Sequence, residues 1–344
     1  MDLSIHNGAD NISSFLSQNT GATPLTSTVT RLLPPGMTRV DRSLTDWLLF
    51  AMLTALWGSA YGFTRLAVSQ SEPEFGFPPE FIIPTRLTAG AMVLVIAAFV
   101  SQQKWPALRA WRMWVAMAVM GIAGTAAPFL LITHAQQTVD SSLAALYVAA
   151  APLFVAIMAH FSFHDDRISV RKAGGLAIGF AGVAVLFGPE AITSFGSASV
   201  FAQALCLSAT ACYALSTITA RYARDIPPFV FAAGFLTFGS VASWPLLLLV
   251  DYAALTPSFG AVSGVVGLAL GPTAMASVLY MVLIQRTSAT FISMTGYTIP
   301  IFSAVVGYLA FQETQNWNAI LAFALILGGV WISQRTPDPL RATA

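Results

Sequence analysis

The chain has 344 residues, of which 56% are hydrophobic and only 9% charged, with a formal net charge of +1. Soluble domains carry roughly 25% charged residues, so the composition excludes an ordinary soluble protein and predicts an integral membrane protein. A net charge this close to zero gives no sign of a nucleic-acid partner. The expected partners are a small-molecule substrate and the lipid bilayer, with no nucleic acid.

The first part of the chain, residues 1–45, is polar and rich in Ser, Thr and Asn. It contains no apolar core of the length that a signal peptide needs, and its composition is typical of a disordered tail. We therefore expect a cytoplasmic tail that precedes the first hydrophobic segment.

Hydrophobic segments of span length dominate the rest of the chain. A membrane-crossing helix needs about 20 mainly apolar residues, and ten such segments are predicted here. An all-α membrane protein with ten transmembrane helices is the expected fold class. The approximate bounds of the spans are 46–68, 80–100, 112–133, 141–161, 170–188, 199–220, 229–250, 261–284, 288–311 and 317–333.

The basic residues give the spans an orientation. With the N-terminus inside, 14 of the 16 Lys and Arg residues fall in cytoplasmic segments, and the exceptions are Arg65 and Arg86. The predicted outer loops contain acids but neither Lys nor Arg. An excess of cationic residues on one side marks the cytoplasmic face. This predicts a multi-pass protein of the plasma (inner) membrane with both termini in the cytoplasm.

The chain also repeats itself. Pro152 precedes Asp165 by thirteen positions, and Pro300 precedes Glu313 by the same distance. The copies are 148 positions apart at the prolines and 147 at the Gly-Val pairs that close them. Each copy holds five predicted spans, an odd number, so the two copies cross the membrane in opposite directions. This predicts an inverted 5+5 repeat around a central cavity, an architecture common in secondary transporters.

The predicted organisation divides the chain into two tails and two repeats. In order, they are the N-terminal tail 1–45, the first five-helix repeat 46–188, the second, inverted repeat 197–333, and a cytoplasmic C-terminal tail 334–344.

Several short motifs recur through the two repeats in a fixed order. They are Leu56-Trp57-Gly58-Ser59, Arg86, Ala151-Pro152-Leu153, Ile299-Pro300-Ile301 and the Gly-Val ends of the fifth and tenth spans. In this order the chain resembles the EamA family of the drug/metabolite transporter superfamily over about residues 46–333. The resemblance implies a ten-helix transporter that moves amino acids or other small metabolites, usually outward.

Aromatic residues with polar tips are predicted to form the cavity wall. Helical rise places Trp57 about 16 Å from Asp46, near the middle of a hydrocarbon core about 30 Å thick. Such side chains suit an amphiphilic metabolite, although helix packing is the alternative for each of them. The predicted wall residues are Trp57, Tyr61, Tyr147, Tyr213, Thr217 and Tyr297.

Two prolines are predicted hinges. Pro152 lies near mid-depth in its span, and Pro300 occupies the equivalent position of the second copy. A proline inside a helix removes a backbone hydrogen bond and can kink the helix. We expect these two positions to bend where a central cavity opens and closes.

The two basic residues in or beside spans have different predicted roles. A buried arginine costs at least ~2.5–3.5 kcal/mol on insertion scales, so Arg86 either meets a substrate carboxylate or reaches outward to an acid of the loop 69–80. Arg65, at the outer end of the first span, is expected to pair with the acids of that loop. A further pattern, Gly175 and Gly179 four residues apart, favours close helix packing.

Enzymatic functions have little support in the sequence. The residue types of a metal site occur at His160, His164, Asp165 and Asp166, but no histidine accompanies Glu313 in the second copy, and no metal site is predicted. The residue types of a catalytic triad occur at His134, Asp140 and Ser141. The Gly-x-Ser-x-Gly motif that presents a nucleophilic serine does not accompany them. We therefore expect no catalytic residues and no cofactor.

Two alternatives to an amino-acid exporter remain. One is a carrier of another amphiphile, such as a drug or a nucleotide-derived metabolite, and the other is an intramembrane enzyme acting on lipid or peptide. Because the middle of every predicted span lacks Asp, Glu and His, uniport is expected rather than proton coupling. Two fused repeats complete one pseudo-symmetric unit, so a monomer is expected.

Overall fold

The computed structural model describes residues 43–68, 76–163, 168–188, 197–220, 225–287, 291–292 and 294–334. Every regular element in these ranges is a helix. Nine of the helices described there are long and apolar enough to cross a membrane. A further apolar helix, Thr295–Phe311, has 17 residues. The chain is thus an all-helical, multi-pass membrane protein.

The helices are labelled in chain order. They are α1 Leu44–Val68, α2 Pro79–Val100, α3 Trp111–Ala135, α4 Ser141–Ser162, α5 Val170–Phe187, α6 Ala198–Ala220, α7 Pro228–Leu249, α8 (Phe259–Leu268, Ala269–Met275 and Ala276–Arg286), α9 Thr295–Phe311 and α10 Trp317–Gln334.

Hydropathy located these helices closely, with one exception. Nine of the ten predicted spans agree with the helix bounds to within two residues. The ninth was expected from residue 288, but α9 begins at Thr295, after a turn at Met294. This leaves α9 shorter than the other helices that cross the bundle, and the count of ten spans stays a prediction.

Two helices change their winding in the middle. A π-helical turn, Ile122–Ala126, interrupts α3, and a second, Ala269–Met275, interrupts α8. The second turn begins 147 positions after the first, which is the offset of the duplicated Gly-Val pairs. Such turns often occur at functional sites.

The two prolines predicted as hinges have different surroundings. In α4 the helix stops at Val148, and a turn at Ala149 and Ala150 precedes the second segment, Ala151–Ser162, of which Pro152 is the second residue. Pro300, by contrast, is buried inside α9, which stays helical on both sides of it. Their role as hinges stays a prediction.

Close packing through glycine joins α5 to α10, as the small-residue pattern predicted. A Cβ on Gly175 would lie 2.6 Å from the carbonyl oxygen of Gly329. A Cβ on Gly182 would lie 2.9 Å from the carbonyl oxygen of Ala322. Only glycine permits such an approach of two backbones, so these helices form part of the scaffold.

The apolar core has two main parts. One lies between α4, α5, α6 and α10 and includes the fully buried Leu153 and Ile326. The other lies between α2, α3, α7 and α8 and includes Leu87 and Leu236.

Candidate functional site

A buried cation marks the centre of the candidate site. Arg86 of α2 is only 4% exposed. Its Nε donates a hydrogen bond to Thr273 Oγ1 of α8, at 3.1 Å. The guanidinium carbon lies 4.0 Å from the ring centroid of Phe129 of α3. Three helices therefore fix the side chain inside the bundle, and it does not reach outward to the end of α2.

The ion pair that the sequence offered as one alternative for Arg86 is not seen. Among the residues that the structure describes, no carboxylate lies within ion-pair distance of Arg86. Glu80, a candidate partner, instead lies 3.1 Å from His134, measured between Oε1 and Nε2. The other two candidates, Glu72 and Glu74, lie outside the described residues.

The two terminal nitrogens of Arg86 are not used in hydrogen bonds within the described residues. They have no hydrogen-bond acceptor in the described ranges, where Nε alone is bonded. In those ranges Gln136 Oε1 is the one side-chain N or O atom that is both fully enclosed and without a partner. The terminal nitrogens are therefore not enclosed, and the small exposed fraction of Arg86 includes them.

Two tyrosines of the predicted wall lie in the neighbourhood of this cation. The phenol groups of Tyr61 on α1 and Tyr213 on α6 both lie within electrostatic range of the guanidinium. Tyr61 is buried, whereas Tyr213 is half-buried. The carbonyl of Tyr61 accepts a hydrogen bond from Gln136 Nε2, at 2.9 Å. The structure thus brings together Tyr61, Arg86 and Tyr213, three of the residues that the sequence singled out.

Trp57 has an aromatic neighbour that sequence reasoning missed. Its ring centroid lies 5.4 Å from that of Tyr280, with an interplanar angle of 44°. Tyr280 belongs to α8 and lies seven positions after Thr273. The signal that selected Tyr61 and Tyr213, a polar aromatic inside an apolar span, was equally present at this position.

Tyr147 and Thr217, two further residues of the predicted wall, have different surroundings. Tyr147 is fully buried; its hydroxyl donates to Gln203 Oε1, and its ring meets Phe187 edge-on at 5.3 Å. Thr217 is exposed, and its hydroxyl donates to the carbonyl of Tyr213 one turn earlier. Contact of these residues with a substrate stays a prediction.

Tyr297 lies close to the end of another helix. Its hydroxyl donates to Gln334 Oε1 at 3.2 Å, and Gln334 is the last residue of α10. Tyr297 itself is the third residue of α9. Its position is therefore at a helix end, away from the middle of the bundle, and its place in a cavity wall also stays a prediction.

A buried carboxylate joins two helices at one end of the bundle, in a contact that the sequence did not predict. Glu313, which is 7% exposed, follows α9 and reaches the first turn of α4. It accepts hydrogen bonds from the backbone nitrogens of Ser141 and Ser142, at 3.0 and 3.1 Å, and from both hydroxyls. Free donors at a helix start favour an anion, so the contact joins α4 to the chain between α9 and α10.

The charges beside this contact act on one another. Burial alone would raise the pKa of Glu313, but the hydrogen bonds from Ser142 and Ser141 together lower it. Burial and the neighbouring Glu313 carboxylate raise the pKa of Asp140, while Arg65 opposes the shift. Arg65 Nη2 lies 3.7 Å from Asp140 Oδ1. Among the described residues, Arg65 thus pairs with Asp140 and not with Glu80, whereas Glu72 and Glu74 of the same loop lie outside those residues.

A further ion pair lies far from this end. Asp46 Oδ1 of α1 is 2.8 Å from Arg286 Nε of α8. Asp46 and Arg65 are nineteen residues apart on the same helix, which corresponds to about 29 Å of helical rise. The group formed by Tyr61, Arg86, Tyr213 and Thr273, which we call the Arg86 cluster, lies between these two ends.

The three residues that suggested a catalytic triad are not paired with one another, and His160 is the one candidate metal ligand within the described ranges. The hydroxyl of Ser141 donates to Glu313, and His134 is paired with Glu80, so neither is paired with Asp140 as a triad requires. His160 Nδ1 accepts from the backbone nitrogen of Ile168. His164, Asp165 and Asp166 lie outside the described residues.

An apolar groove lies elsewhere in the described structure. It has a volume of about 430 Å³ and runs between α9 and α10, beside Leu146. Ile301, Val305 and Ile320 line it and are each at least 49% exposed. In a membrane protein such a surface faces lipid, so this groove is distinct from the Arg86 cluster.

The chain is similar to known transporters over most of its length. The family model described as the EamA-like transporter family matches it twice, over residues 45–188 and 200–334. The uncharacterized transporter YoaV of Bacillus subtilis (strain 168) is 23% identical over 293 residues, which is 83% of this chain and 94% of that protein.

Two further likenesses are informative. A protein of Streptantibioticus cattleyicolor named "Probable terminal-alkyne amino-acid exporter" is 25% identical over 293 residues, which is 84% of this chain and 93% of that protein. A solved crystal structure with 20% sequence identity has a TM-score of 0.58, over 84% of this chain and 97% of that one. At this sequence identity, the similarity to the crystal structure supports a shared fold alone.

Proposed function

The chain belongs to the EamA-like transporter family, and from this we propose that it is a secondary carrier that exports small metabolites by alternating access, with amino acids as the favoured substrate class. The observation that carries the proposal is the Arg86 cluster, because it combines side chains from both matched halves. Arg86 and Tyr61 lie in the first half, and Tyr213 and Thr273 lie in the second. A pocket between two halves is what alternating access requires.

The inverted ten-helix arrangement is part of this proposal. It is supported by the two π-helical turns, Ile122–Ala126 and Ala269–Met275, at the offset of the duplication. Packing supports it as well, since helices at equivalent places in the two halves, α2 with α7 and α5 with α10, lie side by side. Equivalent elements meet in this way close to a pseudo-two-fold axis. The distribution of basic residues further supports a plasma (inner) membrane location with both ends in the cytoplasm.

Amino acids are favoured for two reasons. The alignment with the relative that is named as an amino-acid exporter covers most of this chain and most of that protein. In addition, the aromatic side chains of Trp57, Tyr61, Tyr213 and Tyr280 give the site apolar surfaces with polar tips, which suit an amphiphilic metabolite.

A counterflow screen in proteoliposomes tests the carrier function. Purified protein in liposomes loaded with one unlabelled compound should accumulate the same labelled compound, and the panel should include amino acids, nucleosides and apolar drugs. Trp57→Ala combined with Tyr213→Ala should abolish the exchange, whereas Trp317→Ala, an exposed residue at the start of α10, should not. Exchange of no compound in the panel would remove the proposal, and exchange of nucleosides or drugs alone would favour the alternative substrate class.

The same vesicles test the coupling mode. We propose uniport, because the acids that the structure describes in or beside spans lie near helix ends. Collapsing the proton gradient with an ionophore should leave the initial rate within about twofold of the untreated rate. A rate that disappears with the gradient would mean that a proton moves with the substrate.

A further inference from the structure

Among the residues that the structure describes, no opposite charge balances the charge that Arg86 brings into the interior. Its contacts in the described ranges are a neutral hydroxyl, Thr273 Oγ1, and the face of the Phe129 ring. A hydroxyl and a ring compensate only part of the cost of burying a cation. A buried ionisable group inside a membrane protein is therefore expected to meet an anion in some state of the working protein.

The free donors of Arg86 have the arrangement that a carboxylate needs. A guanidinium has five N–H donors in one plane, and Nε is used on Thr273 at 3.1 Å. The two terminal nitrogens have no acceptor among the described residues, and Phe129 lies against a face of the group. A carboxylate binds two guanidinium nitrogens with parallel hydrogen bonds. Thr273 and Phe129 fix the plane of the group, so its terminal nitrogens have a fixed direction.

The surroundings offer nothing equivalent to a cationic group of the substrate. The acids in the part of the chain that the structure describes lie at helix ends and in connections. They are Asp46, Glu80, Asp140, Asp225, Asp251 and Glu313. None of these contacts Arg86, Thr273 or Phe129. A substrate ammonium group would find only neutral partners there, such as the phenols of Tyr61 and Tyr213.

We propose, on the premise of the carrier function above, that Arg86 binds the carboxylate of the transported substrate and that Thr273 is a positioning residue for it. The substrate class is then an amphiphilic monocarboxylate with an aliphatic or aromatic body, and its α-amino group is not required. The carrier accepts amino acids because they are carboxylates. It rejects amines of the same size, since the guanidinium of Arg86 repels a cation.

The contact between Arg86 and Thr273 also links the two halves of the chain. Arg86 belongs to α2, and Thr273 lies in the π-helical turn of α8. Gly90, one turn after Arg86, allows the approach, because a Cβ there would lie 2.6 Å from Thr273 Cγ2. A movement of one half against the other therefore changes how Arg86 is held, which connects carboxylate binding to the change of access.

Competition between compounds of one shape tests the inference. Two sets are used in counterflow: leucine, 4-methylpentanoate and 3-methylbutylamine, and phenylalanine, 3-phenylpropionate and 2-phenylethylamine. In the set whose body the carrier accepts, the two carboxylates should inhibit within about threefold of each other. The amine should inhibit at least about tenfold more weakly, since a lost charge-assisted pair corresponds to roughly tenfold to hundredfold in affinity.

Variants at the two positions sharpen the result. Arg86→Gln should remove the preference for carboxylate over amine. Thr273→Val, which loses the hydroxyl, should raise KM for the carboxylates about threefold to tenfold, with a smaller change in maximal rate. Thr273→Ser keeps the hydroxyl and should restore most of the affinity. Size-exclusion profiles and carboxylate-induced shifts of the thermal unfolding temperature, measured on the same preparations, show whether each variant folds and binds.

The outcomes separate this inference from the carrier function. Exchange of a nucleoside, drug or amine without competition by any carboxylate would overturn the inference and leave the carrier function standing. Equal effects of Thr273→Val and Thr273→Ser would remove Thr273 as a positioning residue. Absence of exchange for the whole panel, together with absence of a thermal shift, would overturn both.

Discussion

Arg86 and Glu313 are both buried charged residues, with 4% and 7% of their surfaces exposed, but they differ in how many hydrogen bonds they make. Glu313 receives hydrogen bonds from the backbone and hydroxyl groups of Ser141 and Ser142. Arg86 receives one neutral partner and a ring. The hydrogen-bonded carboxylate of Glu313 stabilises the contact between two helices at one end of the bundle. The terminal nitrogens of Arg86, which have no acceptor among the described residues, are available for a ligand.

Removal of Glu313 should have the largest effect on stability. Glu313→Ala leaves two buried backbone donors of α4 without acceptors, and we expect a loss of about 3 kcal/mol. Thermal unfolding in detergent, followed by circular dichroism, measures it. Glu313→Gln keeps the shape and one acceptor oxygen and should lose clearly less. A Glu313→Ala protein as stable as the parent would show that the hydrogen bonds to Ser141 and Ser142 contribute little.

Two glycines allow the same comparison to be made without touching either charge. A Cβ on Gly307 would collide with Glu313 Oε2, and a Cβ on Gly90 with Thr273 Cγ2. Overpacking typically costs about 1–3 kcal/mol. Gly307→Ala should therefore lower the unfolding temperature through the Glu313 contact, and Gly90→Ala should in addition raise KM for carboxylates.

The control for both glycines is Gly296→Ala, since a Cβ at Gly296 meets nothing within 4 Å. It should leave stability and transport unchanged. If Gly296→Ala were as harmful as the other two variants, the effects could not be assigned to the two charged groups.

Acid should weaken the hydrogen bonds that Glu313 accepts from Ser141 and Ser142. Because hydrogen bonds lower the pKa of Glu313 below its ordinary value of 4.5, this group contributes stability above that value and loses it as the pH falls through the lower folded value. The raised pKa of Asp140 has the opposite sign, since protonation of Asp140 favours the folded state. The unfolding temperature of the parent should fall below about pH 4.5, and that of Glu313→Gln should fall less steeply.

Replacement of Arg86 should have the smallest effect on stability. Arg86→Met keeps most of the apolar volume and removes a buried cation that has no counter-charge within the described ranges, so the unfolding temperature should stay the same or rise. Counterflow of carboxylates by this variant should be lost. A large fall in stability would instead assign Arg86 a structural role equal to that of Glu313.

Much of the fold follows from the sequence because the membrane imposes a simple rule. Apolar segments must be long enough to cross the hydrocarbon core with their backbone hydrogen bonds made internally, and helix bounds therefore follow from hydropathy. The start of α9 at Thr295 escaped this rule. Residues 288–294 add length to the apolar run, but a turn at Met294 separates them from the helix, and hydropathy does not detect a turn.

The candidate site was predictable only in part. Tyr61, Arg86 and Tyr213 were found because polar side chains in apolar spans are conspicuous, and the structure places them near one another. Tyr147 was chosen by the same signal, yet it is fully buried against Phe187 and Gln203. Depth along a helix is readable from the sequence, but the direction in which a side chain points around the helix depends on its neighbours.

The sequence by itself determined that the chain crosses a membrane and, except at the start of α9, where its helices begin and end, and it identified Arg86 as a cation in an apolar span. The tertiary structure alone decided which groups meet that arginine and which meet Glu313. Thr273 is 187 positions from Arg86, and Ser141 is 172 positions from Glu313. Contacts across such distances depend on how helices pack in three dimensions, and the local forces that form each helix contain no information about its partner.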